Sequence, residues 1–287
     1  MEDRGYANPE ALVTVEELAA VLGAPDLAVI DITKYLPNED RDGFAEYRRA
    51  HIPGARYLDI DAVADRSTRL PHMLPPPAEF AAAMEALGIA NATRVVFYDQ
   101  KGMSSAARGW WMMRAFGHDR AAVLDGGLPA WIAAGHATEA GDPQPAPATV
   151  YAPAFRPWLV KDIRDVLGNV TEPHAVLVDA RPAARFRGEA PEPRPGMRSG
   201  HVPGSTNLPH AALLNADATF RPAAELRALL REAGVDGTRP AIAACGSGVT
   251  ACAIALAAHL AGLPDVAVYD GSWAEWGGRG DTPVVTG

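Results

Sequence analysis

Cysteine is almost absent from this 287-residue chain, with Cys245 and Cys252 the only two. That excludes a disulfide-stapled scaffold and fits a reducing compartment. Positive charge is in deficit as well: 26 Lys plus Arg against 35 Asp plus Glu give a formal charge of −9, so bulk attraction to nucleic acid is not expected. No window reaches the roughly 18 uninterrupted apolar residues of a membrane-spanning helix. The first ten residues are acidic and polar, without the basic-then-apolar order of a secretory leader, so a cytoplasmic protein is expected. The two cysteines and scattered histidines also lack the paired spacing of a zinc site, and no metal is expected.

What is present is apolar residues at 48%, enough for full cores, and a length that points to two domains of about 140 residues. The chain repeats itself. His51-Ile-Pro-Gly-Ala returns as His201-Val-Pro-Gly-Ser, and the strand pattern ending at Asp31 returns at Val176 to Asp179. Asp99-Gln-Lys-Gly-Met-Ser aligns with Cys245-Gly-Ser-Gly-Val-Thr, and the segment ending at Trp131 aligns with that ending at Trp276. Matching blocks in one order define a first half, 1–140, a Pro/Ala/Gly-rich linker, 141–157, and a second half, 158–287.

Each half alternates strand and helix patterns, which predicts an α/β fold: tandem domains, each a mainly parallel sheet with helices on both faces. In the first half, Thr14 followed by Glu17 is a helix-capping pattern. Leu18, Val21 and Leu22 are expected to face inward. Further helices are expected after the prolines at 75–77 and over 106–116, while 34–50 reads as a polar insertion. The two His-x-Pro-Gly segments read as turns, and Trp131 and Trp276 as core.

The reactive candidate is Cys245, placed between the apolar run 241–244 and an Ala/Leu/Ile helix pattern over 249–260. Gly246 and Gly248 let the loop curl round the sulfur, and a helix start supplies free amides and a positive dipole end. A thiolate, the nucleophilic form, is favoured there. The loop Gly246, Ser247, Gly248, Val249, Thr250 lacks the lysine of a phosphate-binding loop. The equivalent loop of the first half carries Asp99, which cannot do thiol chemistry, so that half is expected to be non-catalytic. Cys252 reads as a core residue.

An anionic substrate needs cations, and 181–198 holds five arginines in an otherwise acidic chain. The segment follows the strand ending at Asp179, so a parallel sheet carries it to the same carboxyl edge as Cys245. Guanidinium forks suit a carboxylate. Glu189 and Glu192 lie in the same segment and are candidates to neutralise it.

Together these residues resemble the 3-mercaptopyruvate sulfurtransferases of the two-domain rhodanese superfamily. The resemblance runs from about Thr14 to Gly278. It rests on the loop 245–251, His51-Ile-Pro-Gly-Ala, Asp59-Ile-Asp61 through His72-Met-Leu-Pro, Arg185-Phe and Pro-Glu-Pro-Arg194, Gly200 to Ser205, and Tyr269-Asp-Gly-Ser-Trp273. It implies a Cys245 persulfide, substrate-binding Arg185 and Arg194, and a proton-handling triad of Asp61, His72 and Ser247. Sulfur would pass from 3-mercaptopyruvate to a thiol, thioredoxin or cyanide acceptor, releasing pyruvate, with no cofactor. The alternatives are thiosulfate as donor, which the neutral residues after Cys245 disfavour, and a non-enzymatic sulfur carrier. A cysteine phosphatase fits less well, because its loop generally ends in arginine and 246–251 has none.

Overall fold

The structure, a computed structural model, describes residues 4–287. Met1 to Asp3, the start of the stretch read above for a leader, lie outside it. The first half contains β1 (Leu12–Val13), α1 (Val15–Val21), β2 (Leu27–Asp31), α2 (Gly43–Arg49), β3 (Arg56–Tyr57), α3 (Pro77–Ala86), β4 (Arg94–Tyr98), α4 (Ala106–Ala115), β5 (Ala121–Leu124) and α5 (Gly127–Ala133). The second contains β6 (Val160–Lys161), α6 (Ile163–Thr171), β7 (Val176–Asp179), α7 (Ala183–Phe186), β8 (Thr206–Asn207), α8 (Ala223–Glu232), β9 (Ala241–Ala244), α9 (Ala251–Leu260), β10 (Val266–Tyr269) and α10 (Ser272–Trp276).

Both sheets are parallel, in the orders β1-β5-β4-β2-β3 and β6-β10-β9-β7-β8. Replacing each strand of the first order by its counterpart in the repeat gives the second. The expected tandem α/β architecture is what the chain adopts.

Local chemistry sets the helix starts. Thr14 accepts from the Glu17 amide while Glu17 returns a bond to the Thr14 amide, so α1 opens on a reciprocal cap. Of its expected inward residues Leu18 is buried, but Val21 and Leu22 are only half-buried at the frayed end. The third proline is the first residue of α3 rather than its predecessor, because proline's missing N–H is no loss there. The supposed insertion at 34–50 holds a helix, α2: the Asp42 carboxylate accepts from the amides of Phe44 and Ala45 and starts it.

Alternate residues of each central strand serve different cores. Val96 and Tyr98 of β4 pack with α1, α2 and α5, including buried Trp131, while Val95 and Phe97 face α4. The α4 side has no domain boundary: one apolar cluster runs from the first sheet through Trp110 and Trp111 of α4 into Ile254 and Leu256 of α9 and on to the second sheet. Gly109 lets α4 lie close on β4 of its own sheet, since a Cβ there would lie 2.4 Å from the Phe97 ring. Trp273 and Trp276 fill the outer face of the second sheet.

The two His-x-Pro-Gly histidines are structural parts of their domains. His51 Nδ1 lies 2.8 Å from the Tyr47 carbonyl and His201 Nδ1 lies 2.8 Å from that of Phe186. The segment 141–157 lies along the first domain, with Ala152 and Asn91 exchanging two hydrogen bonds and the Ala154 amide donating to Phe116.

Candidate active site at the domain interface

Cys245 follows the last residue of β9, so its position is fixed by the central strand of the second sheet. Its amide donates to Ser272 Oγ at 3.1 Å, and the Trp273 and Ala274 amides donate to the carbonyls of Cys245 and Gly246 at 2.9 and 2.8 Å. The start of α10 thus holds the loop from behind. Gly248 sits at φ +76°, where a Cβ would meet the Asp270 carbonyl at 2.6 Å. The helix itself begins at Ala251, two residues later than the apolar pattern indicated, because 249–250 belong to the loop.

This curl leaves the backbone amides of 247–251 without an acceptor among the described residues. The first domain shows what such a loop does. There the Asp99 carboxylate occupies the equivalent cradle, accepting from the amides of Lys101 at 2.9 Å, Ser104 and Ser105 at 2.8 Å, and Ala106 at 2.9 Å. One copy of the loop carries its own anion; the other, which begins at Cys245, leaves its amides unpaired.

A cavity of about 210 Å³ opens on Cys245. The second domain contributes Ser247, Arg185 and Arg194, and the first contributes His72, Lys101 and Met103. Arg185 Nη2 lies 3.1 Å from the place a Cβ on Gly246 would occupy, directly beside the loop. Its guanidinium is gripped by Glu192, with Nε donating at 3.2 Å and Nη2 at shorter range. Glu192 also accepts from buried Arg181, itself held by Asp179. Of the five arginines, then, Arg198 braces the backbone, Arg181 does so from the cavity wall with its charge taken up by Asp179 and Glu192, Arg187 pairs with Glu189 at the surface, and Arg185 and Arg194 also line the cavity.

Arg194 Nη2 donates to His72 Nε2 at 2.9 Å, which puts the ring proton on Nδ1. Nδ1 lies 2.6 Å from Asp61 Oδ1; the separation is that of an ion pair, with the oxygen off the line of a good hydrogen bond. His72 is buried with φ +61°, a conformation unfavourable to any residue with a Cβ. Burial lowers its pKa against the pull of Asp61. Asp61 is held well below the usual carboxylate range, first by His72 and then by Lys34, which pairs with its other oxygen. Burial also lowers the Arg194 pKa, opposed by the charges of Cys245 and Asp61.

The structure therefore brings Cys245, Ser247, His72, Arg185 and Arg194 to one cavity and sets Asp61 behind His72. It does not join Ser247 to His72: the serine hydroxyl makes no hydrogen bond among the described residues, and Nε2 is taken by Arg194. Cys252 lies beneath the loop with its thiol donating to the Gly248 carbonyl at 3.2 Å, and burial pushes its pKa up to about 12. Sequence reasoning missed Lys34 and Arg108. Arg108 left one signal, an arginine inside the apolar helix pattern 106–116.

Two parallel α/β domains with a cysteine in an anion-cradling loop at the carboxyl edge of one sheet define the rhodanese class. The Rhodanese-like domain model matches residues 14–134 and 162–279. The chain belongs to the two-domain rhodanese family of sulfurtransferases. Within it, the chain is 43% identical over 279 residues to human 3-mercaptopyruvate sulfurtransferase, covering 94% of each. It is also 43% identical to the mitochondrial thiosulfate/3-mercaptopyruvate sulfurtransferase 1 of Arabidopsis thaliana, covering 97% of this chain and 79% of that one. Among solved structures it matches SseA of Escherichia coli, from work on 3-mercaptopyruvate sulfotransferases, with a TM-score of 0.83 and 39% identity over 92% of this chain and 98% of that one.

Proposed function

We propose that the chain takes sulfur from 3-mercaptopyruvate onto Cys245 as a persulfide and passes it to a thiol, thioredoxin or cyanide acceptor, releasing pyruvate. The observation that carries this reading is the convergence of one cysteine, a loop of unpaired amides and two arginines in a cavity sized for a molecule of a few heavy atoms. The first domain, 1–140, serves as a non-catalytic half that lends Asp61 and His72 across the interface. The linker is 141–157 and the catalytic half 158–287.

In the first half-reaction the Cys245 thiolate attacks the substrate sulfur while Arg185 and Arg194 hold the carboxylate and keto oxygen. The electron pair of the C–S bond passes to the methylene carbon, giving pyruvate enolate. The proton of the transferred thiol must then reach that carbon. A carboxylate arriving at Arg194 draws its guanidinium from His72 Nε2 and frees that nitrogen to carry the proton, with the Ser247 hydroxyl lining the same cavity. Amides 247–251 stabilise the anionic sulfur before and after transfer. The outer sulfur then leaves to an acceptor, which must enter the same cavity. A cytoplasmic location agrees with the dependence on a free thiol; no helix among the described residues is long and apolar enough to cross a membrane.

Incubation with 3-mercaptopyruvate should release pyruvate and add the mass of one sulfur atom to the protein, with both signals lost in Cys245→Ser. Sulfur uptake without catalytic pyruvate release would instead indicate a carrier. A kcat/KM much larger for thiosulfate would make that the donor.

A further inference from the structure

Arg108 is a charged side chain with no exposure, on the apolar helix α4 of the non-catalytic domain. Its Nη1 donates to the Gly248 carbonyl at 3.1 Å and to Asp270 Oδ1 at 2.7 Å, and its Nη2 donates to the His72 carbonyl at 2.5 Å. The other oxygen of Asp270 accepts from the Leu74 amide at 2.6 Å. One buried ion pair thus touches the sulfur loop and the backbone of His72 and Leu74.

We propose that Arg108 and Asp270 are positioning residues that set His72 against the Cys245 loop; the inference rests on the proton-carrying role given to His72 above. Stability is a weak reason for such a pair, since buried ion pairs are often no better than apolar side chains of similar size. Position is a stronger one. His72 occupies a left-handed conformation that is strained for a residue with a Cβ and persists only while its surroundings impose it. Among the described residues its carbonyl is held by Arg108, and the amide two residues on by Asp270. The sulfur loop, by contrast, keeps three further anchors, from Ser272, Trp273 and Ala274. Removing the pair frees His72 and leaves Cys245 in place.

The two sulfur donors separate these effects. With 3-mercaptopyruvate the C–S electron pair goes to carbon, which must receive the proton given up by the transferred thiol. With thiosulfate the S–S electron pair leaves with sulfite, and no carbon is protonated. A displaced His72 therefore slows the first donor and spares the second, whereas a damaged sulfur loop slows both.

The test is the double variant Arg108→Met with Asp270→Asn, which removes both charges and keeps an acceptor for the Leu74 amide. Its kcat should fall about 100-fold with 3-mercaptopyruvate, the scale of a misplaced catalytic group, and less than about threefold with thiosulfate. Should the double variant not fold, Arg108→Lys, which keeps the charge but not the three-way reach, is measured with the same donors and should show the same asymmetry. His72→Ala is the reference. If His72→Ala shows the donor asymmetry and the brace variant either retains the wild-type ratio or loses both donors equally, the brace is overturned alone. If His72→Ala slows neither donor, the proton-carrying role falls and takes the brace with it.

Discussion

Burial decides the protonation chemistry of single residues here, and Asp31 offers a clean case. It sits at the end of β2 with no exposure, and desolvation pushes its carboxyl up to about 6 despite bonds from Thr33 and Gln100. The folded chain therefore holds a proton that the unfolded chain releases between about pH 4 and 6. The resulting stability is fully present below about pH 4 and is lost as pH rises through about 6, an effect of about 3 kcal/mol. Relative to Asp31→Asn, the wild type should lose unfolding free energy between pH 4 and 7 in urea titrations. A constant difference across that range would contradict the assignment. At this scale the sequence showed which residues to suspect. Cys245, Arg185 and Arg194 stood out by loop composition, local charge and resemblance, but the Arg194 contact with His72 joins residues 122 positions apart. No local pattern reports such a contact.

The element that governs the site is the loop between β9 and α9, and its counterpart between β4 and α4 shows how sequence tunes one backbone to two ends. With Asp99 the cradle is satisfied internally and becomes a structural join; with Cys245 in that place the amides of 247–251 have no acceptor among the described residues. The cradle depends on Gly248 at positive φ, pressed against Asp270 and Arg108. Gly248→Ala should push the loop off both and cut sulfur transfer at least tenfold, a cost of about 1–3 kcal/mol. Stopped-flow persulfide formation measures this directly, and a wild-type rate would refute the geometry. Most elements were legible: the strand pattern ending at Asp31, that at Val176 to Asp179 and the apolar run 241–244 are β2, β7 and β9. Helix α2 was not, because its residues are polar on most sides and only the Asp42 cap announces it.

On the scale of the whole molecule, the two halves are not independent bodies joined by a linker. The inner faces of both sheets share one apolar cluster through α4 and α9, and buried Arg108 and Asp125 each bond the partner domain. Calorimetry should therefore show a single unfolding transition, with calorimetric and van't Hoff enthalpies in agreement. Two resolved transitions would show that the shared cluster does not couple the domains.

The amino-acid sequence by itself determined the tandem α/β plan, the asymmetry between Asp99 and Cys245, and the arginine-rich segment, because these follow from periodicity, repeats and local charge. Only the tertiary structure decided that Arg194 meets His72, that Lys34 pairs with Asp61, and that buried Arg108 of the first domain bonds the carbonyls of both Gly248 and His72. The first and third arise only when the two domains pack through α4 and α9, and the second only when the loops after β2 and β3 come together; each joins distant segments and leaves no periodic trace in either.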